Sequence, residues 1–392
     1  MNIIRRSLII MFLVCSIGSF FEYFNTIFVG LRYISMAALF LLFLMEIRNN
    51  FILKKHIFII LLFVLTFFIY PLVGILFNIY LYGLITILTN ICFYISFLVC
   101  CLYISQYYLE TSRANFFKDF SMICFLFLIS GALIYRDLTI DVITLVFNLV
   151  SNNRIERSYL GFTNPNQVAI MSSVLIITTY LSNMKKITKI ILLGFSLLIL
   201  INTGARTPLL AMLIMVVFFI FYYSYKKITI PLLKVMLKTL LIGCAIISIL
   251  ILANFISTAS SSFFVSLDIL TTNRLSRQLN TIKFLLDSRS FIFGLGMFNI
   301  SFFSSQDIFS GLNTDSYYTY CLATTGIIGL VLNLYLVGNM LLKSLKMKNM
   351  SLIGIIIFCI SYAAFEATLI FPTSLLSILL FVSYFILIDK VG

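Results

Sequence analysis

The chain has 392 residues, of which 62% are hydrophobic and only 10% are charged, and its mean hydropathy is +1.13. A soluble domain is roughly 45–50% apolar and about 25% charged, so this composition excludes a soluble globular protein and indicates one whose solvent is lipid. The formal net charge of +14 does not require nucleic acid as a partner, because the basic residues follow a membrane-topology pattern.

Apolar segments along the chain predict twelve transmembrane helices, since a helix needs about 20 residues to cross the hydrocarbon layer. They are centred near Ser16, Ala37, Thr66, Cys92, Phe125, Leu175, Leu197, Met215, Ile246, Leu330, Ile360 and Leu380. Arg5 and Arg6 precede the first segment as in a signal peptide, but no A-x-A-like cleavage site follows, so a retained helix is expected. The predicted fold is all-α, with residues 1–392 forming a single polytopic membrane domain.

Basic residues predict the sidedness of this domain. With the N-terminus in the cytoplasm, 18 of the 27 basic residues fall in cytoplasmic segments, as the positive-inside rule requires. The prediction is therefore a multi-pass protein of the cytoplasmic (inner) membrane with both termini in the cytoplasm and anionic lipids as partners.

The basic residues predicted outside have a different composition. They are Arg32, Arg136, Arg154, Arg157, Arg206, Arg274, Arg277, Lys283 and Arg289, and thus eight of nine are arginines, against four of eighteen inside. Arginine presents a planar fork of donors that binds phosphate at two points, whereas lysine is a point charge. This bias is typical of an anion site; snorkelling of single arginines at the interface is the alternative.

Two extracytoplasmic loops are larger than the others. The first spans about 137–166 and contains DLTIDVITLVFNLV, which is predicted to lie along the membrane; the second spans about 258–316 and is the only sizeable polar region. The eight cysteines all fall in apolar segments and none has a histidine in metal-ligand spacing. No metal site, cofactor or disulfide is predicted.

The outside segment RSYLGFTNPNQVA, residues 157–169, begins with Arg157 and leads into an apolar segment. Asn164-Pro165-Asn166 is typical of a turn, and either asparagine is expected to cap the helix that follows. The exposed N–H groups of a helix start favour an anion, and Asn166 is a candidate for binding sugar there. The alternative is an ordinary turn and cap.

The segment INTGARTPLLAMLIM, residues 201–215, joins two apolar segments by a very short turn. Arg206 lies in this turn at the outer membrane edge, after Thr203-Gly204 and before Pro208. A charge at this depth is costly without a partner, so a functional role is expected for Arg206.

The segment NRLSRQLNTIKFLLDSRSFIFGLGMFNI, residues 273–300, predicts a short helix in the second large loop. The residues expected on its inward face are Leu275, Leu279, Ile282 and Phe284 or Leu285. Arg274 falls in the first turn and Arg277 one turn later, on neighbouring surface. Because arginine in a first turn opposes the helix dipole, stability alone does not explain it. The glycines of GLG then break the chain before the next apolar segment.

The segment NTDSYYTYCLATTGIIGLVLN, residues 313–333, leads into the next apolar segment with Asp315 at the membrane edge. Asp315 either caps this helix or directs a carboxylate into a cavity lined by the arginines. Tyr317 and Tyr318 are candidates for stacking against sugars, and an ordinary interfacial belt of tyrosines is the alternative.

Four motifs follow one another in the segments predicted outside: Arg-x₃-Gly-Phe-x-Asn-Pro-Asn, Thr-Gly-x-Arg-Thr, a loop arginine before Gly-x-Gly, and a polar-Ser-Tyr-Tyr run followed by Gly-Ile-Ile-Gly. These motifs, in this order, resemble those of the Wzy-type O-antigen and capsule polymerases and the related O-antigen ligases. The resemblance covers roughly residues 150–340. Where the ligases carry His-Asn-x-Tyr, this chain has Thr314-Asp315-Ser316-Tyr317, and its only histidine, His56, lies in a predicted cytoplasmic loop. The missing histidine favours the polymerase.

The resemblance implies a metal-independent glycosyltransferase at the outer face of the cytoplasmic membrane. Its donor and acceptor would be undecaprenyl-diphosphate-linked oligosaccharides, used to build O-antigen of lipopolysaccharide or capsule, and a chain-length regulator is a candidate protein partner. A departing diphosphate needs cations; Arg206 and Arg274 are the first candidates, supported by Arg157 and Arg277. Asp315 is the candidate general base, and attack opposite the diphosphate would invert the anomeric centre.

Glu366 is the main argument for another class of protein. It is expected inside the eleventh apolar segment, in YAAFEATLI, and a buried acid in a membrane helix often marks an ion path. A lipid-linked sugar flippase or secondary transporter is therefore the alternative of a different class, although no paired, matching interrupted segments are visible. An O-antigen ligase is the alternative within the family.

Overall fold

The computed structural model describes residues 2–46, 55–72, 84–138, 157–227, 274–287, 291–294, 316–367, 369–372 and 374–388. Throughout these ranges the regular structure is helical, apart from a single isolated bridge between Phe21 and Phe162. The prediction of an all-α membrane protein is confirmed for this part of the chain.

Twelve helices are present in the described ranges. They are α1 (Asn2–Gly18), α2 (Asn25–Glu46), α3 (Ile57–Val64, continued by a π-helical turn Leu65–Ile69), α4 (Leu84–Glu110), α5 (Arg113–Tyr135), α6 (Pro165–Leu181), α7 (Lys186–Asn202), α8 (Arg206–Lys227), α9 (Arg274–Asp287), α10 (Tyr317–Lys346), α11 (Met350–Ala363) and α12 (Leu375–Leu387). Five of them, α2, α4, α5, α8 and α10, are long and apolar enough to cross a membrane.

Every predicted apolar segment but one has its centre inside one of these helices. The segment centred near Ile246 and the amphipathic stretch in residues 139–150 lie outside the described residues. The helix predicted after residue 273 is confirmed as α9, with Leu285 buried and Ile282 and Phe284 packed against the core. The total of twelve membrane crossings stays a prediction.

Helix α12 is the centre of the bundle. All its residues from Leu375 to Leu387 are buried, and it packs against α4, α6 and α11. A helix that is apolar on every side is stable when other helices or lipid surround it, and α12 is surrounded by helices.

Salt bridges identify one end of the bundle. Arg5 pairs with Glu46 at 2.6 Å and with Glu110 at 3.4 Å, and Arg6 pairs with Asp119 at 3.2 Å. These contacts gather the start of α1, the end of α2, the end of α4 and the start of α5, which are all predicted to be cytoplasmic. The relative sidedness of these four helix ends therefore agrees with the charge pattern.

Helix α10 is interrupted at Gly326, where φ is +64° and ψ is −170°. A turn at 291–294 packs into the interruption, and the Ile327 N–H donates to the Phe291 carbonyl at 2.9 Å. The hydroxyl of Tyr70, just after the π-helical turn of α3, donates to the Thr325 carbonyl at 2.6 Å. Neighbouring elements therefore satisfy backbone groups at the break.

Substitution of Gly326 by alanine is expected to destabilise the protein severely. A Cβ at this position would lie 2.2 Å from the Ile292 carbonyl oxygen, and the backbone region is essentially restricted to glycine, so the loss is on the order of 3 kcal/mol or more. Gly338→Ala is the matched control on the same helix, because a Cβ there meets nothing within 4 Å. Thermal unfolding of the purified protein checks both variants; equal midpoints would contradict the described packing.

Candidate functional site

The loop from Arg157 to Asn164 is held in place by Asp137, two residues after the end of α5. The Asp137 carboxylate accepts from the N–H groups of Tyr159 and Leu160 at 2.8 and 3.2 Å, and the Asp137 backbone carbonyl accepts from the Ser158 hydroxyl at 2.6 Å. An aspartate that binds successive backbone N–H groups stabilises a local turn. This loop conformation positions the side chain of Arg157.

Gly161 brings the same loop against the turn between α1 and α2. It has φ of +76°, and a Cβ would lie 2.1 Å from the Tyr135 ring, so the position requires glycine. Its carbonyl accepts from the Glu22 N–H at 3.0 Å, and the Thr163 N–H donates to the Phe20 carbonyl at 3.2 Å. The two predicted outside segments therefore meet at the end of the bundle opposite Arg5.

Asn164, rather than Asn166, caps helix α6. Its side-chain oxygen accepts from the Asn166 N–H at 2.9 Å, and Pro165 occupies the first helical position, where its missing N–H costs nothing. This arrangement resolves the two possibilities that the sequence left open. It also leaves the Asn166 amide group for other partners.

Arg157 links this helix start to the turn between α7 and α8. Its Nε donates to the Thr203 carbonyl at 2.8 Å, and its Nη2 donates to the Asn166 Oδ1 at 2.9 Å. Gly204, which has φ of +59°, lies beside this arginine side chain: a Cβ added to Gly204 would be 3.7 Å from Arg157 Cγ. The two motifs in residues 157–169 and 201–215 thus contribute to one site.

Glu366 connects Arg157 and Asn166 to the second large loop. Its Oε1 accepts from the Asn166 Nδ2 at 3.0 Å and from the Arg274 Nη1 at 3.0 Å. The same Arg274 Nη1 donates to the Phe365 carbonyl. We call these four residues, Arg157, Asn166, Arg274 and Glu366, the Glu366 cluster.

The position of Glu366 corrects the expectation that it lies inside the eleventh apolar segment. Helix α11 ends at Ala363, and Glu366 follows in the turn beyond it, where its N–H donates to the Tyr362 carbonyl at 3.1 Å. The acid therefore belongs to the same end of the bundle as the arginines. The sequence contained one signal for this: an acid within apolar surroundings requires a cation.

The charged groups of the Glu366 cluster are partly buried. The cluster holds two guanidinium groups and one carboxylate, and the side chains of the Arg274–Glu366 pair are 19% and 17% exposed. In such a position charges are poorly screened, so arginine donors interact strongly with an anion. The buried phenol of Tyr362 lies within electrostatic range of Glu366 and Arg274, and its hydroxyl has no partner among the described residues.

Arg206 and Arg277 each lie three positions after a residue that belongs to the Glu366 cluster or contacts it. Arg206 is the first residue of α8, three positions after the Thr203 carbonyl that accepts from Arg157. Arg277 follows Arg274 by one turn of α9, and its carbonyl accepts from the Thr281 hydroxyl at 3.0 Å. Both side chains are half-buried. Their assignment to a diphosphate stays a prediction.

The tyrosines predicted to bind sugar lie deeper than expected. Tyr317 is 1% exposed, and its hydroxyl donates to the Asn333 Oδ1 at 2.8 Å. Tyr318 is half-buried, and its hydroxyl donates to the Ile360 carbonyl at 2.9 Å. Tyr317 thus bonds within α10, and Tyr318 connects α10 to α11. A sugar-binding role for the two tyrosines stays a prediction.

The candidate base, Asp315, lies outside the described residues. The neighbouring Ser316 is the N-cap of α10, because its hydroxyl accepts from the Tyr318 N–H at 3.3 Å. The capping role considered for Asp315 is therefore filled by Ser316.

Within the described ranges no group of three or more His, Cys, Asp and Glu side chains is arranged to hold a metal ion. Searches for related proteins matched neither a family model nor a curated protein.

Proposed function

We propose that this protein is a polysaccharide polymerase of the cytoplasmic membrane that joins lipid-linked oligosaccharide repeat units at the outer face. The observation that supports the proposal best is the Glu366 cluster. It unites two arginines from separate outside loops, Arg157 and Arg274, at one end of a helical membrane protein. A transferase that releases a lipid diphosphate needs cations at that depth.

In the proposed mechanism, Arg274 and Arg157 stabilise the diphosphate of the donor, with Arg206 and Arg277 as further donors. A hydroxyl oxygen of the acceptor attacks the anomeric carbon, and the bond from that carbon to the diphosphate oxygen breaks. The hydroxyl proton passes to a carboxylate, for which Asp315 is the candidate, and undecaprenyl diphosphate leaves. Attack opposite the leaving group inverts the anomeric centre.

Glu366 acts in this proposal as a positioning residue. One of its carboxylate oxygens, Oε1, accepts from both Arg274 and Asn166. Glu366 therefore orients the guanidinium of Arg274 before substrate binds. A guanidinium has five N–H donors, and those of Arg274 on Nε and Nη2 bond no other described residue, which leaves them for a phosphate oxygen.

The proposal includes the predicted topology. Twelve crossings place both termini in the cytoplasm and the Glu366 cluster on the outer side, where lipid-linked repeat units are presented. The donor and acceptor are the main partners, together with membrane lipids, and a chain-length regulator is a candidate protein partner.

One observation favours the alternative of a lipid-linked sugar flippase or secondary transporter. Helix α10 is interrupted at Gly326, and transporters often bind substrate at interrupted helices. The break is occupied by the turn at 291–294, however, and neighbouring groups satisfy its backbone atoms. This arrangement gives the interruption a structural role.

Deletion of the gene, followed by gel electrophoresis of surface polysaccharide, is the experiment that tests the proposed function. A polymerase mutant is expected to leave single repeat units on the acceptor, because transfer to the acceptor still occurs but chain growth does not. A ligase mutant would leave no sugar on the acceptor. Full-length polymer in the deletion strain would contradict the proposal, and accumulation of repeat units on the cytoplasmic face would favour the flippase.

A further inference from the structure

Among the described residues, Arg32 is the one arginine predicted outside that lies more than one turn from either end of its helix. It is the eighth residue of α2, Asn25–Glu46, about 10 Å along the axis from the helix start. Its Nη1 donates to the Ser19 hydroxyl at 3.0 Å, and its guanidinium carbon lies 5.4 Å from the centre of the Tyr33 ring.

The charge of Arg32 is not balanced by protein groups in the described ranges. No carboxylate there forms an ion pair with it, and its Nε is buried without a hydrogen-bond partner. A guanidinium in a membrane helix is expensive unless an anion or water satisfies it. The burial of Arg32 therefore points to a ligand with negative charge.

A large cavity lies beside Arg32. It has a volume of about 1020 Å³ and is bounded by α2, α4, the start of α6 and the turn before α12. Polar side chains, including Asn25, Asn90 and Gln167, line part of it, and Met36, Phe93 and other apolar side chains line the rest. A site that is charged and polar in one part and apolar in another fits an amphiphile.

The charged part of the cavity lies towards one end of the bundle. The side chain of Arg32 reaches Ser19, at the end of α1, so its charged group is directed to the helix ends while its stem lies along α2. Gln167, which lines the cavity, follows Asn166 of the Glu366 cluster in the first turn of α6. The cavity and the cluster are thus neighbours at the same end of the bundle.

We propose that the cavity at Arg32 is a second anion site, which binds a lipid whose headgroup carries phosphate or diphosphate. Arg32 pairs with the phosphate oxygens, the polar side chains contact the rest of the headgroup, and the hydrocarbon chain lies along Met36 and Phe93. The assignment concerns lipid binding and does not depend on polymerase activity. In a polymerase, it would allow donor and acceptor lipids to be bound at the same time.

Native mass spectrometry of the purified full-length protein tests this assignment with two probes. Phosphatidylglycerol and undecaprenyl diphosphate are each titrated into wild type, Arg32→Gln and Arg136→Gln. Arg136 is exposed, lies at the same end of the bundle and does not line the cavity, so it controls for loss of one charge. Loss of a charged hydrogen-bond donor is expected to weaken binding by about 10–100-fold in Arg32→Gln, with no change in Arg136→Gln.

A third variant, Ala37→Phe, keeps Arg32 but places a ring in the cavity five residues further along α2, and it is expected to lower lipid binding as well. Dependence on Arg32 for either probe supports the site, and the probe that binds more tightly to the wild type identifies the bound lipid as bulk phospholipid or lipid carrier. Wild-type binding of both probes by Arg32→Gln and by Ala37→Phe overturns the assignment. Polymer length in cells is a separate readout, so failure of the proposed function leaves this result intact.

Discussion

Arg274→Gln is expected to remove most polymer while single repeat units still reach the acceptor. The change deletes the cation nearest Glu366 and the donor to the Phe365 carbonyl. Loss of one positioned donor to a developing negative charge costs about 10²–10³-fold in rate. Arg274→Lys keeps the charge but loses the planar fork, so a smaller loss of about 10-fold is expected. Gel analysis of polymer length, with the amount of protein in the membrane measured in parallel, gives the result.

Lys283→Gln is the matched control for Arg274, since it removes a positive charge from an exposed position on the same helix. The double variant Arg274→Gln with Glu366→Gln separates stability from function. The second change also removes the carboxylate that has lost its ion pair with Arg274, so folding should recover relative to Arg274→Gln alone, whereas polymer should remain absent. Full chain length in Arg274→Gln or in the double variant would contradict the role of Arg274 as a diphosphate ligand.

Asp315→Asn is expected to give a normally folded protein that does not polymerise. Asparagine cannot accept the proton of the acceptor hydroxyl, and loss of a general base costs about 10²–10⁴-fold in rate. Because Ser316 caps α10, loss of a helix cap would not account for such a result. Asp315→Glu keeps the carboxylate and should retain part of the activity.

Glu366→Gln is the comparison that distinguishes the two acids. Glutamine keeps a carbonyl oxygen that can accept from Arg274 and Asn166, so a positioning residue should tolerate the change with a loss of about 10-fold. Chain lengths at wild-type level in Asp315→Asn, together with their loss in Glu366→Gln, would transfer the role of general base to Glu366.

The positions of the helices and the relative sidedness of their ends could be predicted from the sequence because both depend on composition. Apolar length determines which segments become helices, and basic residues mark one end of the bundle. The meeting of the segments around Arg157 and Thr203 also agrees with the sequence, since both were placed outside. The burial of individual side chains could not be predicted as well, because it depends on how the helices pack against each other. Tyr317, which is 1% exposed, is an example.

Glu366 shows why the remainder of the site could not be read from the sequence. Its apolar neighbours in YAAFEATLI resemble a continuing helix, and only the structure shows that α11 ends at Ala363. Its partners are Asn166 and Arg274, which are 200 and 92 positions away in the chain. Sequence periodicity describes neighbours within one helix, and it carries no information about which distant polar groups share a cavity.

The contact between Gly294 and Gly326 makes the chain between them a closed loop. The backbones touch there, since a Cβ on Gly294 would lie 2.3 Å from the Gly326 nitrogen. Once two points of a chain are joined, changes in the length of the intervening segment cost little free energy, because closure entropy grows only slowly with length. Insertions and deletions between these glycines therefore need not displace α9 or the Arg274 that begins it. Changes in the length of this segment can therefore leave the contact between Arg274 and Glu366 in place.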